Sequence, residues 1–192
     1  MKDRNINSEI NSALEVLKAG GTILYPTDTI WGIGCDATNS EAVQKVNAIK
    51  GRSDDKSLIV LLENENSLGK YVKDIPPAAW DLIEFAKKPL TIVYPGVVNM
   101  SAEILAKDGS AGIRVVKHLF CEEILAKLRK PIVSTSANIS GMPSPSHFDE
   151  ISEEILSAVD YIVNLPESVD SNALPSSIIK FNADGSFKII RK

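Results

Sequence analysis

Short apolar runs of strand length alternate with segments of helical periodicity along this chain. The apolar runs fall at residues 58–62, 90–94, 112–116, 132–134 and 161–165, and helix-like segments lie between them near 77–87, 118–129 and 149–158. Mainly apolar runs of this length are typical of strands that are buried on both faces. The serial alternation of such strands with helices predicts an α/β fold around one large twisted sheet.

The pattern continues toward both ends of the sequence. Apolar residues recur at helical spacing between residues 6 and 17, and the glycine pair at 20–21 then favours the end of a helix. A β-prone run at 22–25 stops at a proline, and a second amphipathic segment at 40–49 stops at Gly51. Near the other end, two β-prone runs at 177–181 and 187–190 flank an Asp-Gly pair, which predicts a final hairpin.

Length and composition favour one domain over residues 1–192. Hydrophobic residues make up 44% of the 192 positions, which is enough for a core, and no linker or internal repeat divides the chain. There is no apolar window of membrane-spanning length, and the first ten residues are charged and polar, so we expect a cytoplasmic protein without a membrane anchor. Cys35 and Cys121 suit a reducing compartment as free thiols.

Several common kinds of site are disfavoured. The formal net charge of -4 argues against a broad basic surface for nucleic acid. Neither His118 nor His147 has a second histidine or a cysteine at metal-ligand spacing, and neither stands in a nucleophile pattern. No glycine-rich phosphate loop of the Walker or Rossmann type is present, so a nucleotide site would have to be a local cationic pocket of another design.

Two polar segments follow predicted strands. The segment PTDTIWGIG at 26–34 brings hydroxyl and carboxylate groups, and STSANISG at 134–141 brings five polar side chains among eight residues. The ends of strands in α/β sheets often carry ligand-binding loops. The same residue types also suit capped turns, with Trp31 as a core residue, so both interpretations stay open from the sequence alone.

Four cationic residues stand out. Lys50, Arg52 and Lys56 follow a predicted helix closely enough to hold a triphosphate together. Cations at this position also complement a helix dipole or simply lie on the surface. Arg114 interrupts an apolar strand-like run, and a buried arginine usually has an anionic partner, which is here either a protein carboxylate or a substrate.

Six segments, in this order, resemble the threonylcarbamoyl-adenylate synthase family over nearly the whole chain. They are PTDTIWGIG at 26–34, the K-x-R motif at 50–52, PLTIVYPG at 89–96, GIRV at 112–115, the S-x-N motif at 136–138 and PSSII at 175–179. Each segment is modest alone, but six in order are highly specific. The length is similar to that of the short, single-domain bacterial form. The resemblance implies the YrdC-like fold, a single open, twisted, mixed β-sheet with flanking helices.

The resemblance also implies an activity and its participants. The expected reaction is that of an L-threonylcarbamoyladenylate synthase, a nucleotidyltransferase that forms threonylcarbamoyl-AMP and pyrophosphate from L-threonine, bicarbonate and ATP with Mg²⁺. The product would pass to a tRNA threonylcarbamoyl transferase system that modifies adenosine 37 of tRNA. Weak direct contact with tRNA or other RNA belongs to the same expectation, and membrane binding does not.

The resemblance assigns site residues in three groups. Lys50, Arg52, Ser136 and Asn138 would form the catalytic group and also bind ATP. Further ATP contacts would come from Lys56, Ser110, Ser144 and Arg191. The threonine side would consist of Thr29, Arg114, Ser134 and Ser176, with the planar fork of Arg114 suited to a carboxylate. No residue is predicted as a metal ligand.

The sequence departs from the family pattern at three positions. Ser53 and Ser57 stand where the family often has proline, so the loop after Arg52 is expected to be less rigid. Leu61 stands where some long-form members have histidine. Two other functions compete with the synthase. An RNA-binding relative of the same fold is disfavoured by the intact K-x-R and S-x-N motifs and by the acidic net charge. A carbamoyl-adenylate module of hydrogenase maturation proteins is disfavoured because those modules are embedded in much longer chains with zinc-finger and acylphosphatase parts, which this sequence lacks.

Overall fold

One mixed sheet forms the centre of the protein in the computed structural model, which describes residues 6–51, 58–165 and 174–192. In these ranges nine strands are present: β1 (Ile23–Tyr25), β2 (Gly32–Gly34), β3 (Ile59–Leu62), β4 (Leu90–Tyr94), β5 (Ala111–Val115), β6 (Ile132–Ser136), β7 (Tyr161–Ile162), β8 (Ser177–Phe181) and β9 (Phe187–Arg191). The helices are α1 (Ile6–Lys18), α2 (Ser40–Ile49), α3 (Pro77–Phe85), α4 (Leu119–Leu128) and α5 (Glu153–Ala158). The predicted α/β class with one large sheet is therefore confirmed.

The strands lie in the spatial order β7-β1-β2-β6-β3-β5-β4-β8-β9. The pairs β1 with β7, β3 with β5, and β4 with β8 are parallel. The remaining neighbours are antiparallel, including the hairpin of β8 and β9 that the Asp-Gly pair predicts. The sheet is thus mixed, as the family resemblance implies.

Each face of the sheet carries its own apolar cluster, because alternate strand residues point to opposite sides. On one face, Ile23, Tyr25 and Leu61 pack with buried residues of α1 and α4. On the other face, Leu24 and Val60 belong to a cluster that includes residues of α2, α3 and α5. Helices therefore flank both faces, and Leu61 is a core residue with no exposed surface.

Two helices end where the sequence predicts. Gly20 follows α1 with φ of 77°, and Gly51 follows α2 with φ of 56°, both in the left-handed region that favours glycine. At the start of α2, the side chain of Asn39 accepts a hydrogen bond from the backbone N–H of Ala42. This cap and the glycine after it place Lys50 at the end of α2, next to the sheet.

Residues 32–34 form a strand, although the sequence pattern predicts a loop there. Gly32 and Gly34 have weak intrinsic preference for strands, and their conformation comes from pairing with β1 on one side and β6 on the other. A Cβ atom on Gly34 would overlap the carbonyl oxygen of Val133 and lie 2.7 Å from a ring carbon of Tyr25. Only glycine permits this close approach of three strands.

Three other predicted boundaries differ from the structure. The strand predicted at 161–165 ends at Ile162, because the N–H of Asn164 donates instead to the carboxylate of Glu9 on α1, at 2.8 Å. Strand β6 extends to Ser136, so the first polar residues after Val133 belong to the sheet. The helical segment predicted at 149–158 is a short 3₁₀ turn at Phe148–Glu150 followed by α5.

None of the helices in the described ranges has the length and apolar character needed to cross a bilayer. The assignment of residues 1–192 to one domain stays a prediction.

Candidate active site

A cavity of about 550 Å³ opens on the face of the sheet that carries α1 and α4. These helices cover only part of that face. Strand residues on the same side beyond them line the cavity, among them Ile59 of β3, Arg114 of β5 and Ser134 of β6. The loop before β2 and the segment before β8 supply the rest of the wall, including Thr29 and Ser176.

The cavity is cationic. Its described lining includes the guanidinium groups of Arg114 and Arg191 and no carboxylate. Partial burial, and then the charge of Arg114, lower the pKa of Arg191 from its ordinary value, so the two guanidinium groups affect one another. Asp28 outside the wall compensates one of these two charges, and an anionic ligand in the cavity would relieve the remaining repulsion between the guanidinium groups.

Arg114 has both a protein partner and unused hydrogen-bonding capacity. Its Nη2 lies 3.2 Å from Oδ1 of Asp28, and the two side chains are only 4% and 8% exposed. The Nε of Arg114 is buried and has no hydrogen-bond partner among the described residues. Buried donors are rarely left unpaired, so this N–H is available for a ligand in the cavity. The sequence leaves open whether the anionic partner of Arg114 is a protein carboxylate or a substrate. The structure is compatible with both, because Asp28 contacts Nη2 and Nε is left for a ligand.

The hydroxyl group of Thr29 faces the cavity as an acceptor. Thr27 Oγ1 lies 2.8 Å from the carbonyl oxygen of Ile30 and donates its single hydrogen there. Thr29 Oγ1 lies 2.9 Å from Thr27 Oγ1, so Thr29 must be the donor in that contact. The hydrogen of Thr29 is then used within the loop, and its lone pairs remain for a ligand N–H.

A second hydroxyl group in the wall is held by its neighbours. Ser176 Oγ lies 2.8 Å from Oγ1 of Thr91, and the backbone carbonyl of Ser176 accepts a hydrogen bond from Nε of Arg191 at 2.9 Å. Ser176 and Thr91 are both buried and line the cavity. Ser134 lies across the floor from them and is also buried. These contacts connect β4, β9 and the segment before β8 around the cavity.

Lys50 joins the K-x-R and S-x-N motifs. Its Nζ donates to the backbone carbonyls of Ser136, at 2.5 Å, and of Asn138, and it lies 3.3 Å from Oδ1 of Asn138. The amide group of Asn138 in turn donates to the carbonyls of Ile139 and Met142. Lys50 is 3% exposed and is not part of the cavity wall. Its ammonium group therefore organises the loop after β6 rather than facing the cavity.

The structure gathers most of the predicted residues around one cavity. Seven of them line it: Thr29, Arg114, Ser134, Ser136, Ser144, Ser176 and Arg191. Lys50 and Asn138 are not in its described lining, and Lys50 contacts both Ser136 and Asn138. Ser110 does not line the cavity, and its hydroxyl group instead contacts Asp108 and Lys180. Arg52 and Lys56 lie outside the described residues, as do Ser53 and Ser57. All of these functional roles stay predictions.

Three residues that the sequence does not indicate as site residues also line the cavity, namely Trp31, Thr91 and Gly112. Thr91 is a polar residue inside an apolar run of strand length, and this is the sequence feature that could have indicated a place in the site. A Cβ atom on Gly112 would lie 3.2 Å from the Thr91 methyl group, so glycine leaves room in the wall. Trp31 lines the cavity and also packs edge-on against Phe148, with ring centroids 5.0 Å apart. Its predicted role as a core residue is therefore compatible with a place in the wall.

The described residues offer no protein site for magnesium. No group of three histidine, cysteine, aspartate or glutamate side chains comes together in the described ranges. The described lining of the cavity provides hydroxyl oxygens but no carboxylate, which is the ligand that Mg²⁺ usually takes from a protein. The residues present thus do not fit a protein-held Mg²⁺ ion.

Comparison with known proteins gives consistent matches. The family model Sua5_yciO_yrdC, which carries the description "Telomere recombination", matches residues 15–192. The chain is 33% identical over 174 residues to the threonylcarbamoyl-AMP synthase of Pseudoalteromonas translucida, covering 89% of this chain and 92% of that protein. It is 32% identical over 166 residues to the protein of the same name from Psychromonas ingrahamii, covering 84% of this chain and 87% of that one.

A solved structure matches as well. P. abyssi Sua5 complexed with L-threonine superimposes with a TM-score of 0.79 at 27% sequence identity. The match covers 90% of this chain and 50% of that one, so this chain spans about half the length of the P. abyssi protein.

Proposed function

The chain belongs to the Sua5/YciO/YrdC family, and we propose that it is a threonylcarbamoyl-AMP synthase. In this reaction L-threonine, bicarbonate and ATP give threonylcarbamoyl-AMP and pyrophosphate, which makes the enzyme a nucleotidyltransferase. The observation that carries the proposal is the cavity of about 550 Å³, with two guanidinium groups, several hydroxyl groups and no carboxylate in its described lining. Such a wall suits ligands that bear a carboxylate and phosphates.

We infer that the amino acid lies deep and the nucleotide lies nearer the opening. The residues proposed for threonine, namely Thr29, Arg114, Ser134 and Ser176, are all buried. Two of those proposed for ATP, Ser144 and Arg191, are exposed at the rim. Arg114 would receive the carboxylate of threonine, and the acceptor lone pairs of Thr29 would receive an N–H of its amino group.

The proposed chemistry needs no nucleophile from the protein. The threonine amine attacks the carbon of bicarbonate or CO₂ and forms a carbamate, with loss of water when bicarbonate reacts. A carbamate oxygen then attacks the α-phosphorus of ATP, and the bond to pyrophosphate breaks. The protein contributes orientation of the two reactants and stabilisation of charge on the phosphoryl oxygens. Ser136 in the wall and Arg191 at the rim are suited to the second task, and Arg52 is proposed for it from the K-x-R motif.

Mg²⁺ would enter with the phosphates of ATP and not on protein ligands, because the described wall lacks carboxylates. We further propose that the product passes to a tRNA threonylcarbamoyl transferase system. That proposal rests on the family and not on a surface of this chain.

The test is pyrophosphate release by the purified protein with ATP and bicarbonate, comparing L-threonine, L-serine and no amino acid. Release should depend on both L-threonine and bicarbonate. An Arg114→Lys variant purified in the same way is the matched control, because contaminating ATPases would be unaffected by the substitution. If ATP binds but no pyrophosphate is released in any condition, the proposal is wrong, and tight binding of duplex RNA would then support an RNA-binding relative of the family.

A further inference from the structure

Asp28 lies between the cavity described above and a second cavity. The second cavity has a volume of about 260 Å³, and Asp28 lines it together with Lys87, Lys88 and Lys117. Asp28 is not part of the wall of the first cavity, whereas its neighbour Thr29 is. The loop before β2 thus presents one residue to the substrate side and the adjacent residue to the back of the wall.

The two carboxylate oxygens of Asp28 make different contacts, an ion pair without hydrogen-bond geometry at Oδ1 and a hydrogen bond at Oδ2. Its Oδ1 lies 3.2 Å from Nη2 of Arg114, and its Oδ2 accepts a hydrogen bond from the backbone N–H of Lys117 at 3.3 Å. The loop around it is fixed by the bond from Thr27 to the Ile30 carbonyl. Asp28 is therefore an anionic support behind the guanidinium group, and the backbone of Lys117 fixes one of its oxygens.

This support matters because Arg114 is buried. A long side chain in a cavity wall loses conformational freedom when it binds a ligand, and a partner that fixes it beforehand reduces that loss. An anion beside a buried cation also compensates for the water that the cation has lost. Asp28 contacts Nη2 and leaves Nε without a hydrogen-bond partner among the described residues. One side of the guanidinium group is thus paired with the protein, and the other side can donate to a ligand.

We propose that Asp28 is a positioning residue for L-threonine, because it holds the guanidinium group of Arg114 in the orientation that receives the substrate carboxylate. This inference rests on the proposed function. Asp28 itself touches no substrate, and its effect on binding passes entirely through Arg114. The charge of Asp28, and not only its shape, is required.

The first test is the steady-state kinetics of Asp28→Asn, which keeps the shape and removes the charge. The KM for L-threonine should rise about 10- to 100-fold, by analogy with the outer hydrogen-bond partners of metal-binding side chains. The kcat and the KM for ATP should stay within about threefold, because the nucleotide is proposed to contact other residues. Equal increases in both KM values, or an unchanged KM for L-threonine, would overturn the inference.

Two variants separate positioning from general damage. Lys117→Ala is the matched control, because Lys117 contacts Asp28 through its backbone N–H, which the substitution keeps. Its kinetics should equal those of the wild type. In an Arg114→Lys background the planar fork is absent, so adding Asp28→Asn should raise the KM for L-threonine by less than about threefold. Fully additive effects of the two substitutions would show that Asp28 does not act through Arg114.

A measurement without substrate keeps the inference separate from the proposed function. The Nε–H signal of Arg114 can be assigned in ¹⁵N NMR spectra by its loss in Arg114→Lys. In the ligand-free protein this signal should shift, and its order parameter should fall, in Asp28→Asn but not in Lys117→Ala. An unchanged signal overturns the inference even if the wild type is an active synthase. A changed signal in a protein that releases no pyrophosphate supports the contact and refutes the proposed function instead.

Discussion

Replacing Lys50 by methionine should destabilise the protein in the absence of any ligand. Methionine has nearly the same length as lysine but cannot donate hydrogen bonds, so the carbonyls of Ser136 and Asn138 lose their contacts with Nζ. The Asn138 carbonyl is left without a partner among the described residues, which costs about 1–3 kcal/mol. The Ser136 carbonyl keeps the N–H of Asn138 and loses one charge-assisted hydrogen bond worth about 1.5–3 kcal/mol, so the two losses give about 2.5–6 kcal/mol. Removal of the buried ammonium offsets part of this, and we expect a loss of about 3 kcal/mol in the free energy of unfolding. For a chain of this size the thermal midpoint should fall by about 6–12 °C.

The assay combines thermal unfolding, followed by circular dichroism, with amide hydrogen exchange in residues 136–142. Exchange in this segment should accelerate in Lys50→Met without nucleotide, since Lys50 also accepts a hydrogen bond from the N–H of Ser140 through its own carbonyl. Lys45→Met is the matched control, because Lys45 lies on the same helix, is exposed, and donates to one carbonyl, that of Gly20, at 3.1 Å. Its midpoint should change by less than about 2 °C.

One result would refute this reasoning about Lys50. If Lys50→Met kept the wild-type midpoint and exchange rates but bound ATP much more weakly, Lys50 would contact phosphate directly. The contacts with Ser136 and Asn138 would then be incidental in the ligand-free protein.

Two further predictions follow from burial. Because the residues proposed for threonine lie beneath those proposed for ATP, L-threonine should bind first, and prior addition of ATP should slow its binding by about tenfold or more. The fluorescence of Trp31, which lines the cavity, reports this in a Trp80→Phe variant, and equal rates in both orders of addition would contradict the expectation. Burial raises the pKa of Cys35 to about 12 and that of Cys121 well above its ordinary value, so at pH 8 both thiols stay protonated. The folded protein should therefore react with less than about 0.1 equivalent of a disulfide reagent such as DTNB, whereas the unfolded protein should react at both thiols.

The sequence predicted the sheet well where apolar residues determine it. The runs at 90–94 and 177–181 match β4 and β8 because buried strands need continuous apolar side chains. The strand Gly32–Gly34 was missed for a different reason. Its conformation depends on two neighbours that lie elsewhere in the sequence, and glycine is present for close approach rather than for strand preference.

The sequence predicted which residues surround the site but not which of them contact one another. Lys50 and Ser136 are 86 positions apart, and no local pattern indicates that they touch. A lysine near hydroxyl-rich motifs suggests a phosphate contact, because exposed cations commonly bind phosphate. The structure shows the Lys50 ammonium group buried against backbone carbonyls, which is a contact that only the fold can bring about.

The motifs therefore contain two kinds of residue that look alike in the sequence. In the loop before β2, Thr29 faces the cavity and Asp28 faces away from it. In the S-x-N motif, Ser136 is the last residue of β6 and lines the cavity, and the chain then turns so that Asn138 bonds within its own loop. Substitutions of the facing residues should change contacts with substrate directly. Substitutions of the supporting residues should change substrate binding only when they disorder a residue that faces the cavity. This effect can be measured without substrate. For Lys50 the measurement is amide hydrogen exchange in residues 136–142, and for Asp28 it is the order parameter of the Arg114 Nε–H group.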